Sequence, residues 1–251
     1  MASGNYFKNF EYAEYRFGNN ENLDLFKNLT QYVNLIDQIK NNISFTEKFQ
    51  VVSGDRPDTV SHQLYGTMDY YWTFYLMNDH LRLSGWPLNN DEIFEKVKSK
   101  YPNRVLTTTS EIGALFPVGQ VIEGQSSSAI GEIVKRNLDL GQLFVKLTQG
   151  TKFTAGETIS YIDTSAAGSP TRTLSITGET EQFNAVHHYE DNGVHVDIDP
   201  FSGPGLSLTP ITYRDRLEER NDELKEIVVI DPNSIVSVVG EFQKFLTQTN
   251  S

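Results

Sequence analysis

The chain has 251 residues, with 33 acidic against 21 basic side chains, a formal net charge of −12, and no cysteine. Without cysteine there is no disulfide framework, thiolate zinc site, iron–sulfur cluster or cysteine nucleophile. The acidic balance argues against a duplex nucleic-acid binder, which needs clustered Lys and Arg against phosphate, and against a polybasic membrane anchor. The composition is rich in rings, with two Trp, twelve Tyr and fifteen Phe. Such side chains dominate core and interface energetics alike.

Residues 1–10 lack the charged segment and apolar run of a secretion signal. No stretch of roughly 18 apolar residues runs unbroken, as a membrane-spanning helix requires. The expectation is a soluble protein made in the cytosol.

Residues 1–45 read as an aromatic arm followed by a helix. The rings of Tyr6, Phe7, Phe10, Tyr12, Tyr15 and Phe17 follow no regular period. From Leu29 through Tyr32, Val33, Ile36 and Ile39 to Ile43 the apolar residues take helical spacing. The arm either covers its own core or lies on another subunit.

Residues 46–102 read as strand, helix, helix and a connecting tail. Phe49, Val51 and Val52 form the strand, and Ser53-Gly54-Asp55 turns it. Pro57 suits a first helical turn, and Gly66 stops the helix. A second helix over 69–78 carries Tyr70, Tyr71, Trp72, Phe74, Tyr75, Leu76 and Met77, apolar nearly all round, so it must be covered on more than one side. Gly85-Trp86-Pro87 breaks the chain. Asn90 or Asp91 then caps a short helix that ends before Pro102.

Over 103–180 charge thins and β-branched residues alternate. An internal repeat sets Phe116-Pro-Val-Gly119-Gln120-Val-Ile122 against Phe153-Thr-Ala-Gly156-Glu157-Thr-Ile159. The same ungapped register sets Ser127 to Gly131 against Thr164 to Gly168. Two β units packed face to face, as a small barrel or sandwich inserted into the surrounding domain, are the expectation. Its serines read as turn residues, because Gly-x-Ser-x-Gly is absent.

Residues 181–251 open with a hairpin turning at Asn192-Gly193, which sets Glu190 opposite His195 and His188 opposite Asp197. A charged strip from Tyr213 to Leu224 follows, in which Arg214, Arg216 and Arg220 interleave with acids. Ile227 to Ile230 form a buried strand, and Asp231-Pro232 caps a last helix. His187, His188 and His195 with Glu190 and Asp197 sketch a metal site, but the pairing gives His188 and His195 carboxylates already and turns His187 to the other face. His62 and His80 stand alone, and no phosphate-binding glycine loop occurs. No catalytic, cofactor-binding or metal-ligating residue is assigned, and no enzyme is expected.

The run from Phe49 through Gly54-Asp55-Arg56-Pro57-Asp58 and Leu64-Tyr65-Gly66, then Asp69 to Asn78, resembles a LysM module. With Tyr71-Trp72 and Gly85-Trp86-Pro87 it is more similar to the LysM-like baseplate wedge proteins of contractile-tailed bacteriophages. The resemblance implies an α+β fold: a LysM-like strand–helix–helix core, an inserted all-β domain and a C-terminal strand and helix. It implies a virion subunit of the tail baseplate that joins neighbouring wedge subunits around the central hub. Its partners would be other wedge subunits, with hub or tail-tube proteins beyond them, in multiple copies of a six-fold assembly, without nucleic acid, membrane or cofactor. The partner surface is then expected at Tyr6, Phe7, Phe10, Tyr12, Tyr15, Arg56, Tyr70, Tyr71, Trp72, Trp86, Arg214, Arg216 and Arg220. The alternative is a peptidoglycan-binding LysM module, whose groove lies beside the strand–helix turn; fold alone does not decide between them. The second strand of the core is expected from beyond the insertion, from the hairpin near Val194 or from Ile227 to Ile230.

Overall fold

A computed structural model describes residues 12–16, 23–27, 45–203, 205 and 207–248. They fall into two compact units, one of Met1–Asn90 with Arg220–Ser251 and one of Asp91–Glu219. Tyr6, Phe7, Phe10 and the helix expected from Leu29 to Ile43 lie outside the described residues.

In the first unit β1 (Tyr12–Tyr15) and β2 (Asp24–Lys27) form a two-stranded antiparallel ribbon. Tyr12, Tyr15, Leu25 and Phe26 on it are exposed. β3 (Thr46–Gln50) leads through the Gly54 turn into α1 (Pro57–Tyr65), which starts on its proline. It ends at Gly66, left-handed at φ 72°, whose N–H donates to His62 O. The buried Ser61 ties α1 to the short 3-10 turn Met68–Tyr70: its hydroxyl donates to Thr67 O at 2.8 Å and accepts from Tyr70 N.

The single helix expected over 69–78 is interrupted. The 3-10 turn precedes α2 (Trp72–Met77), Asn78 is extended at φ −123°, and α3 (Asp79–Ser84) follows. The second strand is β14 (Glu226–Ile230), antiparallel to β3 with Ile227 opposite Phe49. α6 (Ile235–Gln248) closes the unit; Ser234 Oγ donates to the Asp231 carboxylate just ahead of it.

α2 is apolar all round because two clusters enclose it. Phe74, fully buried, packs with Val51, Val60, Leu81, Ile227 and Val229. Trp72, Leu76 and Met77 pack with Ile230, Ile235, Val239 and Phe242, and the Trp72 and Phe242 rings lie 5.4 Å apart.

The outer edge of β14 carries backbone groups that β3 cannot reach. Asn78, 3% exposed, meets them as a peptide of a third strand would: Nδ2 donates to Val228 O at 2.7 Å and Oδ1 accepts from Val228 N at 2.8 Å. Tyr65 adds a hydroxyl donated to Ile230 O at 3.1 Å. Asn221 does the same in reverse, accepting from Leu88 N at 2.8 Å and donating to Leu88 O at 3.0 Å.

The second unit begins with α4 (Asn90–Lys100), whose first residue falls at the unit boundary. β4 (Arg104–Thr107), β5 (Val121–Gly124), β6 (Ile130–Asn137), β7 (Gln142–Gln149), β8 (Thr158–Ile162), β9 (Thr171–Ser175) and β10 (Gly178–Glu181) follow. They make one antiparallel sheet in the order β10-β4-β7-β6-β5-β8-β9. β9 and β10 stand at opposite ends of that order yet are separated by only residues 176–177 in the chain, so the sheet curls around a single core. β11 (Val186–Asp191), β12 (Val194–Val196) and β13 (Thr209–Thr212) form a second, three-stranded sheet, and α5 (Tyr213–Glu223) follows it. Tyr213 at the start of α5 packs against Val105, Phe144 and Ala185.

The repeat is visible in three dimensions over its first half. Phe116 and Phe153 are both fully buried, as are Ile122 and Ile159. Gly119 N donates to Ile133 O and Ile133 N to Gln120 O; Gly156 N donates to Ile176 O and Ile176 N to Glu157 O. The two hairpins lie side by side in one sheet, Glu123 opposite Ser160, rather than face to face. The ungapped register also fails beyond the first strand. Ala129 is buried beside β6, whereas Thr164 to Gly168 lie in an exposed turn. The backbone bonds align Ile133 with Ile176, which requires a longer loop in the second copy.

The copies also differ where Gln120 matches Glu157. The Glu157 side chain, 5% exposed, accepts from Thr154 N at 2.6 Å, Ser126 N and Ser127 N at 2.9 Å, and Ser127 Oγ at 2.8 Å. Burial raises its pKa, but these donors outweigh burial and hold it below the usual carboxylate range.

Replacing Asn78 by Ala strands two backbone groups of β14 and should cost roughly 3 kcal/mol in urea unfolding. Asn78→Asp should be no better, because a carboxylate would face the carbonyls of Phe74 and Val228. Equal stability of Asp and Asn at pH 7 would contradict the edge pairing. For Glu157 the folded-state pKa is depressed, so its contribution is complete above the ordinary carboxylate pKa and is lost as pH falls below it. Glu157→Gln should therefore lower stability by about 1–3 kcal/mol at pH 7, with the gap closing in melts below about pH 4.

Candidate assembly surfaces

The residues singled out in the sequence separate by what they do inside the monomer. Trp72, 9% exposed, is core, covered by α6. Trp86 donates its indole N–H to Asp55 O at 2.7 Å and packs against Phe74 and Tyr75, so this chain's own side chain fills the space beside the Gly54-Asp55 turn. That is where the resemblance places a glycan groove. Tyr70 is half-buried edge-on against Tyr65. Tyr12, Tyr15, Arg56, Tyr71, Arg214 and Arg220 are exposed, while Tyr6, Phe7 and Phe10 lie outside the described residues.

Two features stand out on the surface of the first unit. Tyr71 and Met68 are exposed together on the 3-10 turn and its exit. A groove of about 640 Å³ beside β14 is lined by Asp79, His80, Asp222, Glu223 and Glu226. Its carboxylates are largely paired: Asp79 with Arg82, Asp222 with Lys225 at 2.5 Å and Glu226 with Lys48 at 2.5 Å.

The second unit carries the clustered histidines, His187, His188 and His195. Glu190 is opposite His195 as expected, but β12 ends at Val196, so His188 has no Asp197 opposite and pairs with Ile211 of β13. Its carboxylate is Glu190, two residues along the same strand. His187 does not turn away, because a β-bulge between Val186 and His188 brings the adjacent imidazoles within 5.1 Å, edge to face.

Their hydrogen bonds have only one consistent proton arrangement. Arg216 on α5 can only donate, from Nη1 to His187 Nε2 at 2.6 Å. His187 therefore carries its proton on Nδ1 and donates to His188 Nδ1 at 2.9 Å. His188 in turn donates from Nε2 to Glu190 Oε1 at 2.8 Å. Burial, then the Arg216 charge, pushes the His187 pKa down to about 4. Among the described residues no group of three or more His, Asp or Glu could hold a metal. No helix among them is long and apolar enough to cross a membrane.

Arg216 is thus engaged internally, whereas Arg214 pairs with Glu218 at 2.7 Å and stacks over Phe94. Two residues escaped the sequence reading. Asn221 sits in the stripe Tyr213, Leu217, Asn221, Leu224, an inward helix face hidden among charges. Glu157 was legible only as a repeat position.

Residues 5–108 match the model of the family described as base plate wedge protein 53. The match runs from the arm through α4 to the end of β4, and it supports a phage baseplate wedge protein, a structural component of the virion tail. No curated protein matches the chain.

His187 should titrate near pH 4 in histidine-labelled NMR spectra. Its depressed folded-state pKa means its stabilising contribution is complete above about 6.5 and is lost as pH falls toward 4. Arg216→Gln removes one cause of the shift and should move the titration upward.

Proposed function

We propose that this bacteriophage baseplate wedge protein joins neighbouring wedge subunits around the central hub, in several copies of a six-fold ring. The observation that carries the reading is the β1–β2 ribbon. On this ribbon Tyr12, Tyr15, Leu25 and Phe26 all expose large apolar surface to solvent, and clustered exposed apolar side chains mark interaction surfaces. Such an element gains its stability by lying on a partner, as aromatic anchors at interfaces do. Other wedge subunits are the partners, with Tyr71, Arg56, Arg214 and Arg220 as further contacts. The strand–helix–helix core, with Tyr65 and Asn78 completing the strand edge, supports the LysM-like description.

Co-expression with the other wedge proteins of the same phage tests the proposal. Deleting residues 1–27 should lower co-purification by about tenfold or more while the melting temperature of the isolated protein holds. Tyr71→Ser with Arg56→Glu should weaken it in the same way. Trp72→Ala should instead cost about 3–5 kcal/mol of stability and act on assembly only through folding. Undiminished assembly by the deletion variant, or retention on purified sacculi in place of wedge binding, would overturn the proposal.

A further inference from the structure

The curled sheet of the second unit and the chain that follows it border a half-open cleft of about 380 Å³, within the range of small-ligand pockets. Among the described residues no side chain lining it is an acid, a base or a histidine, in a chain with 33 acidic and 21 basic residues. It is lined instead by hydroxyls and amides, with apolar surface from Leu140, Ile198 and Pro200 and the ring of Tyr189.

Some of these polar groups are already committed. Thr108 Oγ1 donates to Ser175 O at 2.7 Å, and Thr177 Oγ1 donates to Thr107 O at 3.1 Å. Thr109, Thr180 and Asn184 line the cleft without such ties to the fold. Gln142, 2% exposed, donates its Nε2 to Val186 O at 2.9 Å, and its Oε1 has no hydrogen-bond partner. An unpaired buried acceptor is costly, and this one belongs to a residue of the cleft wall. Gly141 beside it is left-handed at φ 58°, and a Cβ there would collide with Thr108 O, so the backbone approaches closely only because no side chain intervenes.

Ligand chemistry follows from that lining. A phosphate, carboxylate or ammonium would lose its hydration with no opposite charge to receive it. A purely apolar ligand would leave the threonine hydroxyls and the asparagine amide unpaired. A ring with hydroxyls around its edge and C–H groups on its faces meets both kinds of surface. We propose that this cleft binds a neutral monosaccharide unit, its hydroxyls bonded by Thr109, Thr180 and Asn184 and one face resting on Tyr189. The site shares no residue with the β3–α1 turn of the first unit.

Saturation-transfer NMR on the full chain, with glucose, galactose and N-acetylglucosamine at about 10 mM each, tests this. At least one sugar should receive saturation, strongest on its ring C–H protons, with a Kd of roughly 1–10 mM as expected for a single sugar ring. Thr180→Val and Asn184→Leu should each weaken binding about tenfold or more. Thr109→Val, on an exposed segment, supplies a variant whose fold is not at stake. Absence of transfer to all three sugars, equal transfer in variants that melt like the parent, or equal competition by inorganic phosphate would overturn the assignment.

Discussion

Two buried side-chain amides hold the first unit together. Its halves are separated in the chain by the whole of the second unit, so no local turn brings them into register. Asn78 from the first half pairs with both backbone groups of Val228 in the second, and Asn221 from the second pairs with both groups of Leu88 in the first. An amide matches a peptide group in donor, acceptor and geometry, so Asn78 satisfies the open edge of β14, and Asn221 the peptide groups of Leu88 in a loop, without adding a strand. A carboxylate in either place would leave the backbone carbonyl unmet. Around this pairing the apolar side chains of α2 find cover, Phe74 on one side and Trp72 with Met77 on the other.

The second unit solves a different problem. Its sheet runs without interruption through seven strands, and curling brings the ends of that order toward one another, limiting the open edges that invite foreign pairing. The repeated Phe-x-x-Gly segments supply the same buried ring and the same glycine bonds twice. Divergence at one position, Gln120 against Glu157, gives one copy a carboxylate that gathers three donors from the turn between β5 and β6 and a fourth from Thr154 ahead of β8. Burying that group is tolerable because four hydrogen-bond donors meet its charge.

Local chemistry was readable in the residues. Pro57 and Gly66 bound α1 as expected, Asn192-Gly193 turns the β11–β12 hairpin with both residues at positive φ, and of the two strands expected to pair with β3 it is Ile227 to Ile230 that does. What escaped was settled by distant contacts. The run over 69–78 looks like one helix, and it does end where Asn78 takes extended backbone to reach Val228, but its first residues form a separate 3-10 turn tied to Ser61. The rings of Trp72 and Trp86 signal burial, yet composition cannot say whether the cover comes from a partner or from α6 and the Asp55 turn of the same chain. A strict alternation sends His187 away from His188, and only the bulge, invisible in periodicity, returns it. The side-by-side repeat followed the same rule: the residues announce two hairpins, while their neighbour relation is a property of the sheet.

The separation of β3 from β14 also sets an order of events during synthesis. Lys48 and Glu226, joined across these strands, are 178 residues apart in the chain. A chain emerging from the ribosome can complete the curled sheet of the second unit while Phe74 and Trp72 still lack Ile227, Ile230 and Phe242. Nascent α1 and α2 therefore remain uncovered through most of translation, and the first unit is the late, slow and aggregation-exposed step, as long-range pairing generally is. The seam sewn by Asn78 and Asn221 is in this sense the closing act of biogenesis, and a ribosome that stalls before Ile230 releases a chain with its second unit encoded in full and its first still open.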